Sequence, residues 1–166
     1  MTAKIGSAVT AKVLQRITGP AGMNSGLAAL THTDRVLAGS LDAAQVHAQN
    51  AAAELAERGG AVKYPAVNVY CEKIVNELTE KFRTFSGRVL MAIELRHSQD
   101  RLEGLEDRLE LYADAAMHML NAGRGDWGDG MFYGGAYEVS FGAVKHGGKN
   151  FIQVAKVTFA IGVSKN

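Results

Sequence analysis

The chain has 166 residues, 47% hydrophobic and 21% charged, with 18 Lys plus Arg, 17 Asp plus Glu and a single cysteine. That composition describes one ordinary domain with a real core, and one cysteine excludes an internal disulfide and a four-cysteine zinc site. The near-neutral balance argues against tight, static nucleic-acid binding, which needs a clustered basic surface, but leaves room for brief contact with a passing polyanion.

No run of about 18 apolar residues marks a membrane span. The start of the chain lacks the apolar stretch of a secretion signal. The expectation is a soluble protein that resides, or is assembled, inside the cell. In chain order, Ile5, Val9, Val13, Leu14 and Ile17 give a helical spacing that Gly19-Pro20 ends. Asn24 or Ser25 is placed to cap a second short helix containing Leu27, Leu30 and Val36, which Gly39-Ser40 breaks. Residues 41–62 are alanine-rich, with a helical portion over Ala51–Glu57 that stops near Gly59-Gly60. The weak amphipathicity of residues 1–62 fits a helical or extended arm that orders on a neighbour. Residues 63–166 read as the core of a single globular domain.

Pro65 biases Tyr64 towards extended geometry and suits a strand start. Val67, Val69 and Cys71 alternate with Asn68, Tyr70 and Glu72, predicting a strand over 66–72. Ile74, Val75, Leu78 and Phe82 fit either a helical turn or an irregular continuation of it. After Ser86-Gly87, Val89, Met91, Ile93 and Leu95 alternate with Arg88, Ala92, Glu94 and Arg96, a strand with one wet and one dry face. Asp100 with Glu103 has the spacing of a capping box. Leu102, Leu105, Leu109, Tyr112, Ala116 and Leu120 then form one apolar stripe, predicting a helix over 100–122 interrupted by Gly104.

Residues 132–164 are the stretch around which the rest is organised. They predict two long strands, Phe132–His146 and Asn150–Ser164, joined at His146-Gly147-Gly148-Lys149. Matching apolar faces pairs Tyr137 with Phe159, Val139 with Val157 and Ser140 with Lys156, because a one-residue slip exchanges the faces. The same register sets Lys145 opposite Phe151 across an odd-numbered loop with glycine in a left-handed conformation. Near the tip Val144, Phe151, Ile152 and Val154 are apolar on both faces, which calls for a partner surface, often another copy of the chain. The predicted fold is α+β: a four-stranded, mostly antiparallel sheet with a long helix packed on one face and short N-terminal helices.

The loop Gly123–Gly130 contains Arg124-Gly125-Asp126, an adhesion tripeptide, and two aspartates, but Asp126 and Asp129 lack the spacing of a calcium loop. It predicts a tight helix-to-strand connection whose Trp127 packs on the domain or on a neighbour. None of His32, His47, His97, His118 and His146 forms a metal-ligand pair. Cys71 is expected to be a buried structural thiol on the dry face. No nucleophile elbow, phosphate-binding loop or dinucleotide fingerprint is present, and Lys145, Lys149 and Lys156 make only a thin basic patch. The expectation is a non-enzyme with no cofactor and no metal.

Four segments carry a family resemblance: YPAVNVYCEKI (64–74), FSGRVLMAIELRHS (85–98), GDWGDGMFYGGAYEV (125–139) and NFIQVAKVTF (150–159). With the amphipathic helix between them, they resemble the tail-terminator, or tail-completion, neck proteins of long-tailed bacteriophages over residues 64–166, about 60% of the chain. The resemblance implies a structural virion protein of the tail and neck, assembled in the host cytoplasm as a ring, typically a hexamer. Such a ring caps the tail tube and joins it to head-completion proteins, while double-stranded DNA passes through its lumen. It implies no active site. The subunit interface is expected at Val144, Phe151, Ile152, Val154 and Trp127. Two rivals stand beside it: a head-completion or stopper connector of the same neck, and a small cytosolic enzyme or ligand-binding domain using a cleft near Trp127 and His97. The charge balance disfavours a nucleic-acid-binding module.

Overall fold

Ile5, Val9, Val13 and Ile17 recur one helical turn apart and form the inner stripe of α1 (Ile5–Thr18), where Val9 and Val13 are fully buried. This is a computed structural model, and it describes residues 4–31, 40–53, 56, 62–147 and 149–166. Next come α2 (Met23–Thr31), a 3-10 turn at Ala43–Gln45 and β1 (Val46–His47), then β2 (Ala66–Asn76) and β3 (Phe85–Gln99). The chain continues through α3 (Leu105–Ala122), β4 (Gly125–Gly128), β5 (Met131–Phe141), β6 (Lys145–Gly147) and β7 (Asn150–Lys165).

The protein is α+β, but among the described residues its sheet has seven strands, not four, in the order β1-β2-β3-β7-β5-β4, with β6 also on β7. It is mixed because β1 runs parallel to β2 while the other pairings are antiparallel. The strands missed by sequence reading are β1 and β4, at two and four residues too short to show a period of two, while the predicted strand Phe132–His146 is divided into β5 and β6. The residues left open between helix and strand belong in part to β2, which runs on to Asn76 past a bulge between Cys71 and Lys73.

The central hairpin has the register that its faces demand: Tyr137 pairs with Phe159, Val139 with Val157 and Ser140 with Lys156. Its tip does not. Residues 142–144 leave the ladder, and β6 resumes one residue out of step, pairing Lys145 with Ile152 and His146 with Phe151. The expected Lys145–Phe151 pair is thus replaced across a bulge, which bends the ribbon end.

The three described helices lie on one face of the sheet. Valines, leucines and aromatics of β2, β3, β5 and β7 form a single core with Val9, Val13, Ile17, Met23 and Leu27 of the first two helices. α1 and α2 therefore pack into the same core as the sheet. Asn24 does not cap α2; its side-chain amide clamps the backbone of Leu41, donating to its O at 2.9 Å and accepting from its N at 2.7 Å. His32, Val36 and Gly39, with residues 54, 55 and 57 of the predicted Ala51–Glu57 helix, lie outside the described residues.

α3 begins at Leu105, later than Asp100. Gly104 is its N-cap at φ 77, a left-handed conformation that glycine accepts readily. The Asp100–Glu103 capping box does not form. Instead the Gln99 amide donates to the carbonyls of Arg101 and Glu103, both at 2.7 Å, and Leu102 is left exposed. The Gly123–Gly130 connection contains β4, and it turns into β5 through Asp129 (φ 54) and Gly130 (φ 74). Two residues with positive φ make a type I′ hairpin turn, for which Asp-Gly is a characteristic pair.

Candidate functional site

Three surfaces bring polar or exposed apolar groups together: the face of the sheet opposite α1, α2 and α3, its two outer edges, and the tip of the central hairpin. Period-two alternation sends Asn68, Tyr70 and Glu72 of β2, Glu94 and Arg96 of β3, and Lys156 of β7 to the face opposite α1, α2 and α3. There they form a connected network. Arg96 is only 3% exposed. Its guanidinium donates to Glu94 Oε2 from Nη2 at 2.6 Å and from Nε at 3.2 Å, and Nη2 also reaches the Ala51 carbonyl. With the Asn68 amide turned to satisfy both its atoms, its oxygen accepts from Arg96 Nη1 at 3.0 Å. Tyr70 Oη donates to Glu94 Oε1 at 2.7 Å, and its burial, with that bond, holds the phenol well above its usual range. Lys156 pairs with Glu72 and lies 5.9 Å from the Tyr70 ring centroid. Each carboxylate faces a cation, so this face is polar and electrically balanced.

Both outer edges of the sheet are largely open among the described residues. β1 covers β2 only at Val67 and Asn68, leaving Val69–Asn76 without a strand. β4 covers β5 only along Met131–Tyr133, leaving Gly134–Phe141 likewise. Beside the β2 edge a groove of about 760 Å³ runs between β2 and α1, lined by Ile5, Gly6, Leu14, Val69, Cys71 and Ile74 among others.

The expected interface residues fall into two groups. Trp127 is only 6% exposed. Its Nε1 donates to the Gly123 carbonyl at 2.6 Å, its ring lies 5.7 Å from that of Tyr133, and the Arg16 guanidinium sits 4.8 Å above it. Trp127 therefore packs on its own domain, the first of its two expected placements. Ile152 is also buried, because the hairpin tip closes over a cleft of about 300 Å³ that Ile152 and Val154 share with Ala52, Ala53 and Ala143. Val144, Phe151 and Val154 remain half-exposed, with Phe151 edge-on to His146 at 5.1 Å.

Among the described residues, Trp127 and His97 are not brought together at one cleft. His97 pairs across the strands with Gln153, while Tyr133, which carries Trp127, pairs with Ile161. Those positions are eight residues apart along β7 (153 to 161), or about 26 Å. His97 is buried beside Tyr112, its Nε2 3.3 Å from Gln99 Oε1, and burial holds its pKa below the usual value. Cys71 is half-buried in the β2 groove, not enclosed in the core, and partial burial raises its pKa. Asp126 Oδ1 accepts from Gly128 N at 2.8 Å and Asp129 pairs with Lys12 at 3.0 Å, so both aspartates of the tripeptide loop serve local structure. His118 is exposed on α3, and no group of three metal-ligating side chains occurs among the described residues.

Alternation indicated a polar face, but not that Arg96 would be enclosed there. That depends on residues 50–53 crossing over it, and their alanine-rich sequence carries no periodic signal for such a path. A scan against protein-family models finds no match, and a search of curated proteins finds no relative.

Proposed function

We propose that this protein is a ring-forming structural subunit of a tailed-phage neck, a tail terminator that caps the tail tube and joins it to the head-completion proteins. The observation that carries this reading is the one-sided sheet: the three described helices on one face, a charge-balanced polar face on the other, and two largely unpaired edges. A subunit of that shape can repeat head to tail into a closed ring. The face opposite α1, α2 and α3, with residues 50–53 laid across part of it, then turns towards the lumen. With its exposed carboxylate Glu72 paired to Lys156, and a formal charge of +1, such a wall lets duplex DNA pass without holding it. Val144, Phe151 and Val154 at the hairpin tip add apolar contact with an adjoining subunit or ring. The sequence resemblance over residues 64–166 points the same way.

The test is two-dimensional averaging of negatively stained particles of the purified protein and of virions at the head–tail junction. A ring with an open central channel at the junction is the expected result. A monomer or globular dimer in both preparations would sink the reading. A connector of the same neck is separated by the loss phenotype. Without a terminator, tubes lack a defined length. Without a connector, tails of normal length stay unjoined to filled heads.

A further inference from the structure

We propose that copies of this chain join by strand pairing, with the free edge of β5 in one copy lying antiparallel along the free edge of β2 in the next. This inference rests on the reading of the chain as a ring subunit, and it names the surfaces that meet.

Strand direction comes first. β2 and β7 run one way and β3 and β5 the other, because each neighbouring pair is antiparallel. A second copy in the same orientation therefore presents β5 antiparallel to β2, and its helices fall on the same side of the extended sheet.

The short strands decide whether the edges can meet. β1 blocks β2 at its N-terminal end and β4 blocks β5 at its N-terminal end. In an antiparallel pairing these obstructions lie at opposite ends of the joint. In a parallel pairing they would collide. What remains without a strand partner is 69–76 on one edge, at the floor of the groove between α1 and residues 48–50, and 134–141 on the other, eight residues each.

Matching the faces fixes the register. Val69, Cys71 and Ile74 share the helix side of β2, the bulge accounting for the odd step, as their partners Ile93, Met91 and Val89 show. Tyr137, Val139 and Phe141 share the helix side of β5. Full overlap then pairs Val69 with Phe141, Cys71 with Val139 and Ile74 with Tyr137. Phe141 and Ile74, 45% and 48% exposed, would be covered at the 760 Å³ groove. On the other face the same register sets Lys73 opposite Glu138. Both are exposed, and neither makes an ion pair among the described residues. An opposite-charge cross-strand pair is a favourable contact. The bulges on both edges disfavour pairing with an unmatched strand.

The single cysteine supplies the test. Within one copy, residues 71 and 139 lie on strands three spacings apart, about 14 Å, beyond the roughly 7 Å limit for a disulfide. In the Val139→Cys variant, a disulfide between Cys71 and the introduced thiol must therefore link two chains. Under mild copper-phenanthroline oxidation at high protein concentration, the full-length variant should give a ladder extending past the dimer, with that linkage found by peptide mass spectrometry. Lys73→Glu or Glu138→Lys alone should weaken self-association about 5-fold, and the double exchange should restore it. Val75→Cys with Ala136→Cys in a Cys71→Ser background probes the same register on the opposite face, should Val139→Cys fold poorly. A ladder from either variant supports the pairing. A dimer joined only through Cys71 of both copies, or no intermolecular bond from either variant, overturns it. Rings without the bond would leave the neck reading standing and remove this pairing; the bond without closed rings would do the reverse.

Discussion

Tyr133 sits with its ring buried against Trp127 and Phe159, and its hydroxyl donates to the Ala136 carbonyl at 3.3 Å. Burial pushes its pKa from 10.0 up to about 12. The folded state holds this proton more tightly than the unfolded chain, so the contribution to stability is complete below pH 10 and is lost as pH rises towards 12. Tyr70 and Tyr112 shift in the same direction, also through burial. Denaturant titrations should therefore show stability falling from about pH 10, with a shallower fall in Tyr133→Phe. His97 has the opposite dependence. Its depressed pKa makes its contribution complete above pH 6.5 and diminishing as pH falls below it. Phe82 offers a different single-residue test, because it is 99% exposed with φ 65. A left-handed conformation costs a bulky residue about 1–2 kcal/mol, while glycine's extra entropy costs about 0.5–1 kcal/mol. Phe82→Gly should raise the urea midpoint, by about 0.5 kcal/mol in free energy.

At the scale of elements, long amphipathic patterns were legible and short or crowded ones were not. The four long strands and the register of the central hairpin followed from alternation, because each has one face in the core. β4 was hidden among glycines and aspartates, although Asp129-Gly130 is itself a hairpin signal. The start of α3 was misplaced because the polar spacing at Asp100 imitates a cap, whereas the backbone turns at Gly104. Candidate sites fared less well, since exposure is a tertiary property: Trp127 and Ile152 look available in sequence and are enclosed in the fold. Trp127→Ala should accordingly cost about 3–5 kcal/mol in chemical denaturation while leaving any oligomer of the remaining folded protein unchanged in light scattering. The polar face allows a paired experiment. Arg96→Ala removes the enclosed partner of Glu94 and should cost about 3 kcal/mol, whereas Arg96→Met with Glu94→Leu should cost much less. Equal losses in both would mean that packing around Arg96, not charge pairing, dominates there.

Across the whole molecule, the exposed large hydrophobics divide between the ends of the sheet. Among the described residues, Ile74, Leu78, Phe82 and Phe132 gather where β2 ends and β5 begins, while Leu102 and Phe141 lie towards the other end. The Asn76 amide, the Ser86 hydroxyl and the Ser86 carbonyl hold the backbone of the Glu77–Thr84 loop at the first end, so its apolar tip is presented on a fixed support. The N-terminal helix is joined to the far side of the fold by Lys12–Asp129 and by Arg16 over Trp127. Because the chain has one tryptophan, that last contact makes the molecule its own optical reporter. Indole emission should move to longer wavelength when α1 lifts from the sheet, so assembly or peeling of the N-terminus can be followed in solution without an added dye.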